Sequence, residues 1–320
     1  MSFCLLADES LLEDGIKLIA VEEMGQAIKE IDNPRLKRSE AIHEVRKHCK
    51  KIRAVLRLVR AQFEETYQFE NAWFRDTAKG LTELRDAEAL IETYDSLLDK
   101  FDDQVERRAF ASIRRALTLR RKKIIEETGD LNQKLKQLRA RMDKAVRRVA
   151  DWKLKVEEFD GIEAGLVATY RRARDTMAAA YEDPTAVNFH EWRKQAKYHD
   201  YHMRLLRELW KPLMRSLSKE TDELSELLGN DHNLEVLYKT LVKSPKKYGK
   251  KRDIQVLLGL IDRRSAELRA KAKTIGARIF AEKPKTFGRR FRNYWEAWRS
   301  EAELPSKKLS EEPAVVTAAA

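Results

Sequence analysis

His43-Glu-Val-Arg46-Lys47-His-Cys-Lys50 and, 147 residues further on, His190-Glu-Trp-Arg193-Lys194-Gln-Ala-Lys197 spell one pattern twice, H-E-x-R-K-x-x-K. The register holds beyond the segment. Arg57 and Leu58 match Arg204 and Leu205, and Leu81, Glu88 and Leu90 match Leu228, Glu235 and Leu237. Similarity at a fixed offset is the mark of a duplicated unit. What recurs best is a set of basic residues with one histidine, so the cationic positions are the place to look for function.

Helical geometry explains the spacing. At 100° per residue, His43, Arg46, Lys47, Lys50 and Arg57 fall on one stripe, while Val45, Cys49, Ile52, Val55, Leu56 and Val59 fall on the opposite side. The second copy reads alike, with His190, Arg193, Lys194, Lys197 and Arg204 on one stripe, Tyr201 among them, and Trp192, Ala196, His199, Met203 and Leu206 behind. An amphipathic helix with a solvated basic face is the plain alternative. Between residues 35 and 60, however, ten basic residues are opposed only by Glu40 and Glu44. Two cations about 8 Å apart repel by ~2 kcal/mol at an effective dielectric of ~20, so two such stripes facing each other would call for an anion.

The composition is that of a folded, all-α protein: Gly (11) and Pro (7) are scarce, and 37 % of residues are charged at largely helical spacing. The net charge of +12 favours a polyanionic partner. Two cysteines, one on an apolar helix face, predict no disulfide framework and fit a reducing cytoplasm. The N-terminus lacks the basic region of a signal peptide, and no apolar run is long enough to predict a membrane span.

Periodicity and punctuation predict helices over 9–31, 38–66, 68–98 and 101–127, and again over 161–181, 186–210, 212–241 and 250–281. The expected organisation is two pseudo-symmetric four-helix bundles from an internal duplication. The first covers residues 1–128 and the second 160–300, joined by a charged, solvated connecting helix over 129–159. Residues 301–320 read as a disordered tail.

At these residues the chain resembles the CHAD family, the conserved histidine α-helical domain. Family-like features recur at Tyr170-Arg171-Arg-Ala-Arg174, at Leu81-Thr-Glu-Leu-Arg85-Asp86 and at Leu228-Gly-Asn-Asp231-His232-Asn233. The resemblance implies a pair of four-helix bundles enclosing a basic cavity that binds inorganic polyphosphate without catalysis by the domain. Polyphosphate granules are the wider partner such a ligand would bring. The implied contacts are His43, Arg46, Lys47, Lys50, Arg57, Tyr170, Arg171, Arg174, His190, Arg193, Lys194, Lys197, Tyr201 and Arg204. The halves differ, since Arg53 is matched by Asp200, Asp86 by Asn233, and Tyr170 by Glu23. The Tyr170 cluster makes the second half the expected holder of short phosphates.

Rows of cations suit a ligand without bases: guanidinium groups make forked contacts to phosphate, and ammonium groups act as point charges. Nucleic-acid binding through the phosphate backbone is the alternative, although helix-turn-helix, zinc-ligand and RRM signatures are lacking. A metal phosphohydrolase reading of His199-Asp200, His202 and Asp231-His232 fails on geometry, because His190 and His199 point to opposite sides of one helix. His199 reads as a core histidine. With no phosphate loop, dinucleotide turn or nucleophile elbow, neither an enzyme activity nor a cofactor or metal is expected.

Overall fold

The computed structural model describes residues 3–6, 11–79 and 82–303, and all regular structure among them is helical. The first half contains α1 (Leu12–Asp32), α2 (Arg38–Leu58), α3 (Arg60–Lys79), α4 (Thr82–Lys100), α5 (Ala111–Thr128) and α6 (Leu131–Val149). The second contains α7 (Asp160–Glu182), α8 (Ala186–Leu205), α9 (Lys211–Lys243), α10 (Lys251–Ile279) and α11 (Pro284–Glu303). None of the described helices is long and apolar enough to cross a membrane. Cys4 and Cys49 are both buried.

Local sequence places several boundaries. Asp130 caps α6 by accepting from the backbone N–H of Asn132 at 2.8 Å and Gln133 at 3.2 Å. Gly129 before it has φ 72°, a backbone conformation that favours glycine. Thr185 caps α8 through the N–H of Asn188, and α11 starts on Pro284.

The predicted helix over 38–66 is in fact divided at Val59, with no glycine or proline to mark it. Tertiary packing is tight at this point. At the end of α2 the backbone of α7 comes so close that a Cβ on Gly165 would stand 1.9 Å from the carbonyl oxygen of Leu58 and 2.5 Å from that of Arg57. The predicted helix over 68–98 is likewise split between α3 and α4. Residues 80 and 81 between them lie outside the described residues, as does the proposed match of Leu81.

Carried forward by 147 residues, α1 falls on α7, α2 on α8, and α5 within α10, while α3 and α4 together fall on the single helix α9. The packing follows the same scheme: α2 packs on α1 and α3, α8 packs on α7 and α9, α4 packs on α5, and α9 packs on α10. α6 packs on α1 as α11 packs on α7. The helix expected as a solvated connection therefore buries Leu135, Leu138, Met142, Ala145 and Val149. α11 runs on to Glu303, past the expected start of the tail, and residues 304–320 lie outside the described residues.

The two larger apolar clusters among the described residues each draw on both halves of the sequence. One joins Ile16, Met24, Ile52, Phe74 and Met142 to Leu166, Trp192 and Phe291. The other joins Tyr94, Leu97 and Ile113 to Leu237, Leu257 and Ile261. Full burial of each such side chain contributes ~1.5–3 kcal/mol. A core shared in this way fixes the halves against each other, α2 lying against both α7 and α8.

Candidate functional site

α2 and α8 carry the repeated segments, and their apolar faces decide which way the cations point. Ala41, Ile42, Val45, Cys49 and Ile52 are buried on α2, and Phe189, Trp192, Ala196 and Met203 on α8, so Lys47, Lys50, Arg193, Lys194 and Lys197 keep contact with water.

The two stripes approach each other at Lys50. Its side chain is exposed, yet its ammonium is held down at about 8, first by loss of hydration and then by the charges of Arg193, Arg46 and Lys197. Two of those three cations belong to α8, so the halves contribute to one electrostatic neighbourhood. Arg46 and Arg193 are also pushed below the usual guanidinium value, chiefly by burial. Asp86 on α4 is the acidic group among them, acting on Arg46, Lys50 and Arg193. Loss of hydration still lifts Asp86 above the usual carboxylate range, outweighing Arg46, Arg85 and Lys50. Arg193 lies beside Gly229 of α9, where a Cβ would stand 4.0 Å from its Nε.

Other cations of the stripes are engaged locally. Lys47 pairs with Glu44 at 3.1 Å and Lys194 with Glu191 at 2.8 Å, each one helical turn away. Exposed pairs of this kind hold a side chain with well under ~1 kcal/mol and yield to a stronger anion. Lys197 and Arg204 are tied more firmly. Fully buried Asp200 accepts from Lys197 Nζ at 2.8 Å and Arg204 Nε at 3.0 Å, and Asp222 accepts from Arg204 Nη2. These carboxylates hold the Arg204 guanidinium above its ordinary value.

Arg57 stands where Arg204 stands in the other half, but its guanidinium lies 4.1 Å over the ring of Tyr198. Its Nε is buried without a hydrogen-bond partner. Tyr201 is buried beneath the cations, with Lys197 Nζ 5.0 Å over its ring and Phe3 edge-on at 5.9 Å, and burial pushes its hydroxyl well above the usual phenol value.

Both leading histidines bond across to another helix, His43 to α4 and His190 to α9. Arg85 Nε donates to His43 Nδ1 at 3.0 Å, and Nδ1 of His190 lies 3.3 Å from Nδ1 of His232. Both are held below the ordinary imidazole value, mainly by burial. Residues 85 and 232 are themselves 147 apart, so these partners are a paired feature that reading the basic stripe alone missed.

Tyr170 is not part of this surface. It is fully buried, stacked on Phe287 at 3.9 Å, and its hydroxyl donates toward the carbonyls of Ile279 and Glu282 at 3.3 and 3.2 Å. Arg171 and Arg174 are exposed on α7, with Arg174 near the Tyr170 hydroxyl at the α10–α11 turn rather than beside Lys50. His199 is buried against Tyr170, Phe280 and Phe287, as expected of a core histidine. A cavity of about 590 Å³ opens elsewhere, between Trp210, Lys211, Tyr294 and Trp298, and none of the expected contacts lines it.

No curated protein matches this sequence. The family model of the CHAD domain matches residues 22–242, spanning both basic segments and most of the chain from α1 to α9. The chain belongs to the CHAD domain family.

Proposed function

We propose that this protein binds inorganic polyphosphate on the surface formed by the basic faces of α2 and α8, with no chemical step of its own. The observation that carries this reading is the crowding at Lys50, where Arg46, Arg193 and Lys197 all act on one desolvated ammonium. A polyanion laid along these groups relieves their repulsion and accepts charge-assisted hydrogen bonds from them. In this reading the matching helices of the halves descend from one duplicated bundle, and the concave surface between them is the basic cavity. A cytoplasmic setting goes with it.

The primary contacts are Arg46, Lys50 and Arg193, with His43 and His190 as donors at the ends. Lys47 and Lys194 are released to the ligand from their glutamates. Lys197 and Arg204 contribute less, because Asp200 and Asp222 already answer their charge. Short phosphates are therefore assigned to the neighbourhood of Lys50 and Arg193, not to the second half through Tyr170.

One salt titration compares long-chain polyphosphate, orthophosphate and duplex DNA as competitors. Tight, salt-sensitive binding of the long chain that neither orthophosphate nor DNA displaces supports the proposal. Displacement by DNA at equal phosphate concentration would favour a nucleic-acid ligand instead.

A further inference from the structure

The two histidines that head the repeated segments face partners of different chemistry. Arg85 donates its Nε proton to Nδ1 of His43 at 3.0 Å. A guanidinium keeps its protons at any ordinary pH, so Nδ1 of His43 is an acceptor and the ring proton sits on Nε2 as a ready donor. At the matching place in the second half stands His232, whose Nδ1 lies 3.3 Å from Nδ1 of His190, with ring centroids 4.7 Å apart. Two neutral imidazoles share one hydrogen across that contact. One ring then carries its proton on Nδ1 and leaves its Nε2 bare. A bare lone pair repels an approaching phosphate oxygen, whereas an Nε2–H would bond it.

The charges around the pair are mostly cationic. Arg193 and Lys194 on α8, Lys239 on α9 and Lys50 on α2 all act on it, and Asp86 on α4 acts on Arg193. Glu191 opposes them at His190 while pairing with Lys194 at 2.8 Å; Glu235 is engaged with Lys239 at 3.0 Å, and Asp231 with Arg269 of α10 at 2.9 Å. In the free protein burial, with the cations adding to it, keeps the pair neutral. A polyanion reverses that field.

We infer that His190 and His232 form a proton-coupled element of the anion site, in which binding of a polyphosphate segment draws one proton from solvent onto the pair. The proton arrives at the bare Nε2, the Nδ1–H···Nδ1 bond persists, and both rings then present Nε2–H to phosphate. The first half, with Arg85 in place of His232, needs no such proton. The inference rests on the polyphosphate-binding reading and adds to it that binding tightens as pH falls. Burial and Arg193 hold His232 at about 3 in the free protein, which fits a proton taken up only with the ligand.

Isothermal titration with long-chain polyphosphate, in two buffers of different ionisation enthalpy, measures the protons taken up. At about pH 5.5 the Lys50 ammonium, held at about 8, is already charged, and long chains have few titrating ends, so the part of the uptake that a His232 substitution removes reports the pair and any remainder reports groups such as Asp86. The wild type is expected to take up a large part of one proton and to bind several-fold tighter than at about pH 7.5. His232→Arg, and separately His232→Gln, should bind with most of that uptake lost and a flatter pH response, helicity being checked by circular dichroism. Uptake equal to wild type in either folded variant, or binding by the wild type without uptake, overturns the proton coupling and leaves polyphosphate binding standing. Failure of the wild type to bind the polymer at all overturns both.

Discussion

Lys197 Nζ lies 2.8 Å from a carboxylate oxygen of Asp200, a residue with no exposed surface. The same carboxylate takes Arg204 Nε at 3.0 Å and faces the hydroxyl of Thr221 at 3.4 Å. At the equivalent place in the first half stands Arg53, which bonds Asn71 at 3.0 Å. One stripe is thus internally neutralised at its C-terminal end, and the other is not.

Asp200→Asn keeps the shape and removes the charge. Because Lys197 and Arg204 are each about one-third exposed, water takes up part of the loss, and the cost is about 1–3 kcal/mol rather than the ~3–5 of a fully buried pair. Polyphosphate affinity should stay level or rise as the two cations are freed. Urea unfolding and ligand titration check both effects. Weakened binding by the folded variant would mean that the aspartate serves the ligand.

Gly165 and Gly25 make opposite predictions for the same substitution. A methyl at 165 would run into backbone carbonyls at 1.9 and 2.5 Å, which cannot move aside as a side chain can, so Gly165→Ala should cost ~3 kcal/mol or more. At Gly25, within α1, a Cβ meets nothing within 4 Å, so Gly25→Ala should stabilise by about 0.5–1 kcal/mol. Thermal unfolding of the two variants side by side measures the difference.

Acid should unfold this protein early. Burial holds His199 at about 3 and His202 at about 4, below the ordinary imidazole value of 6.5. Above pH ~6.5 both states are neutral and nothing is lost. As pH falls below it, the unfolded chain binds protons that the native rings refuse, and stability drops by up to ~1.4 kcal/mol per unit per histidine until the folded values are reached. The pair should therefore cost roughly 2–4 kcal/mol between about pH 7 and 5. His199→Leu, replacing a ring whose Nδ1 has no hydrogen-bond partner, should make that decline shallower in urea titrations at several pH values.

Much of this arrangement was legible in the spacing of residues along the chain. The repeat located α2 and α8, their cationic faces and the match between halves, because a helix turns sequence spacing directly into a face. The same rule places Tyr170 in the core. It continues the buried series Ile162, Leu166, Tyr170 and Ala173, whereas adjacent Arg171 lies 100° round the helix. Neighbours in sequence are not neighbours on a helix surface. The break at Val59 was not legible, since no glycine or proline marks it and the backbone packed against it, at Gly165, comes from more than 100 residues away. The bond from Arg85 to His43 depends in the same way on how two helices are brought together, and only the 147-residue relation between positions 85 and 232 hinted at it.

The central claim is that α2 and α8 hold one polyanion jointly, and Lys50 and Arg193 are the groups on which that claim turns. Isothermal titration of long-chain polyphosphate into the wild type, Lys50→Gln and Arg193→Gln, with helicity confirmed, tests it most directly. A charge-assisted contact contributes about 1.5–3 kcal/mol, so each substitution should weaken binding by about tenfold or more. Both should also make the salt dependence shallower. Wild-type affinity in either folded variant would contradict a site shared between the two halves.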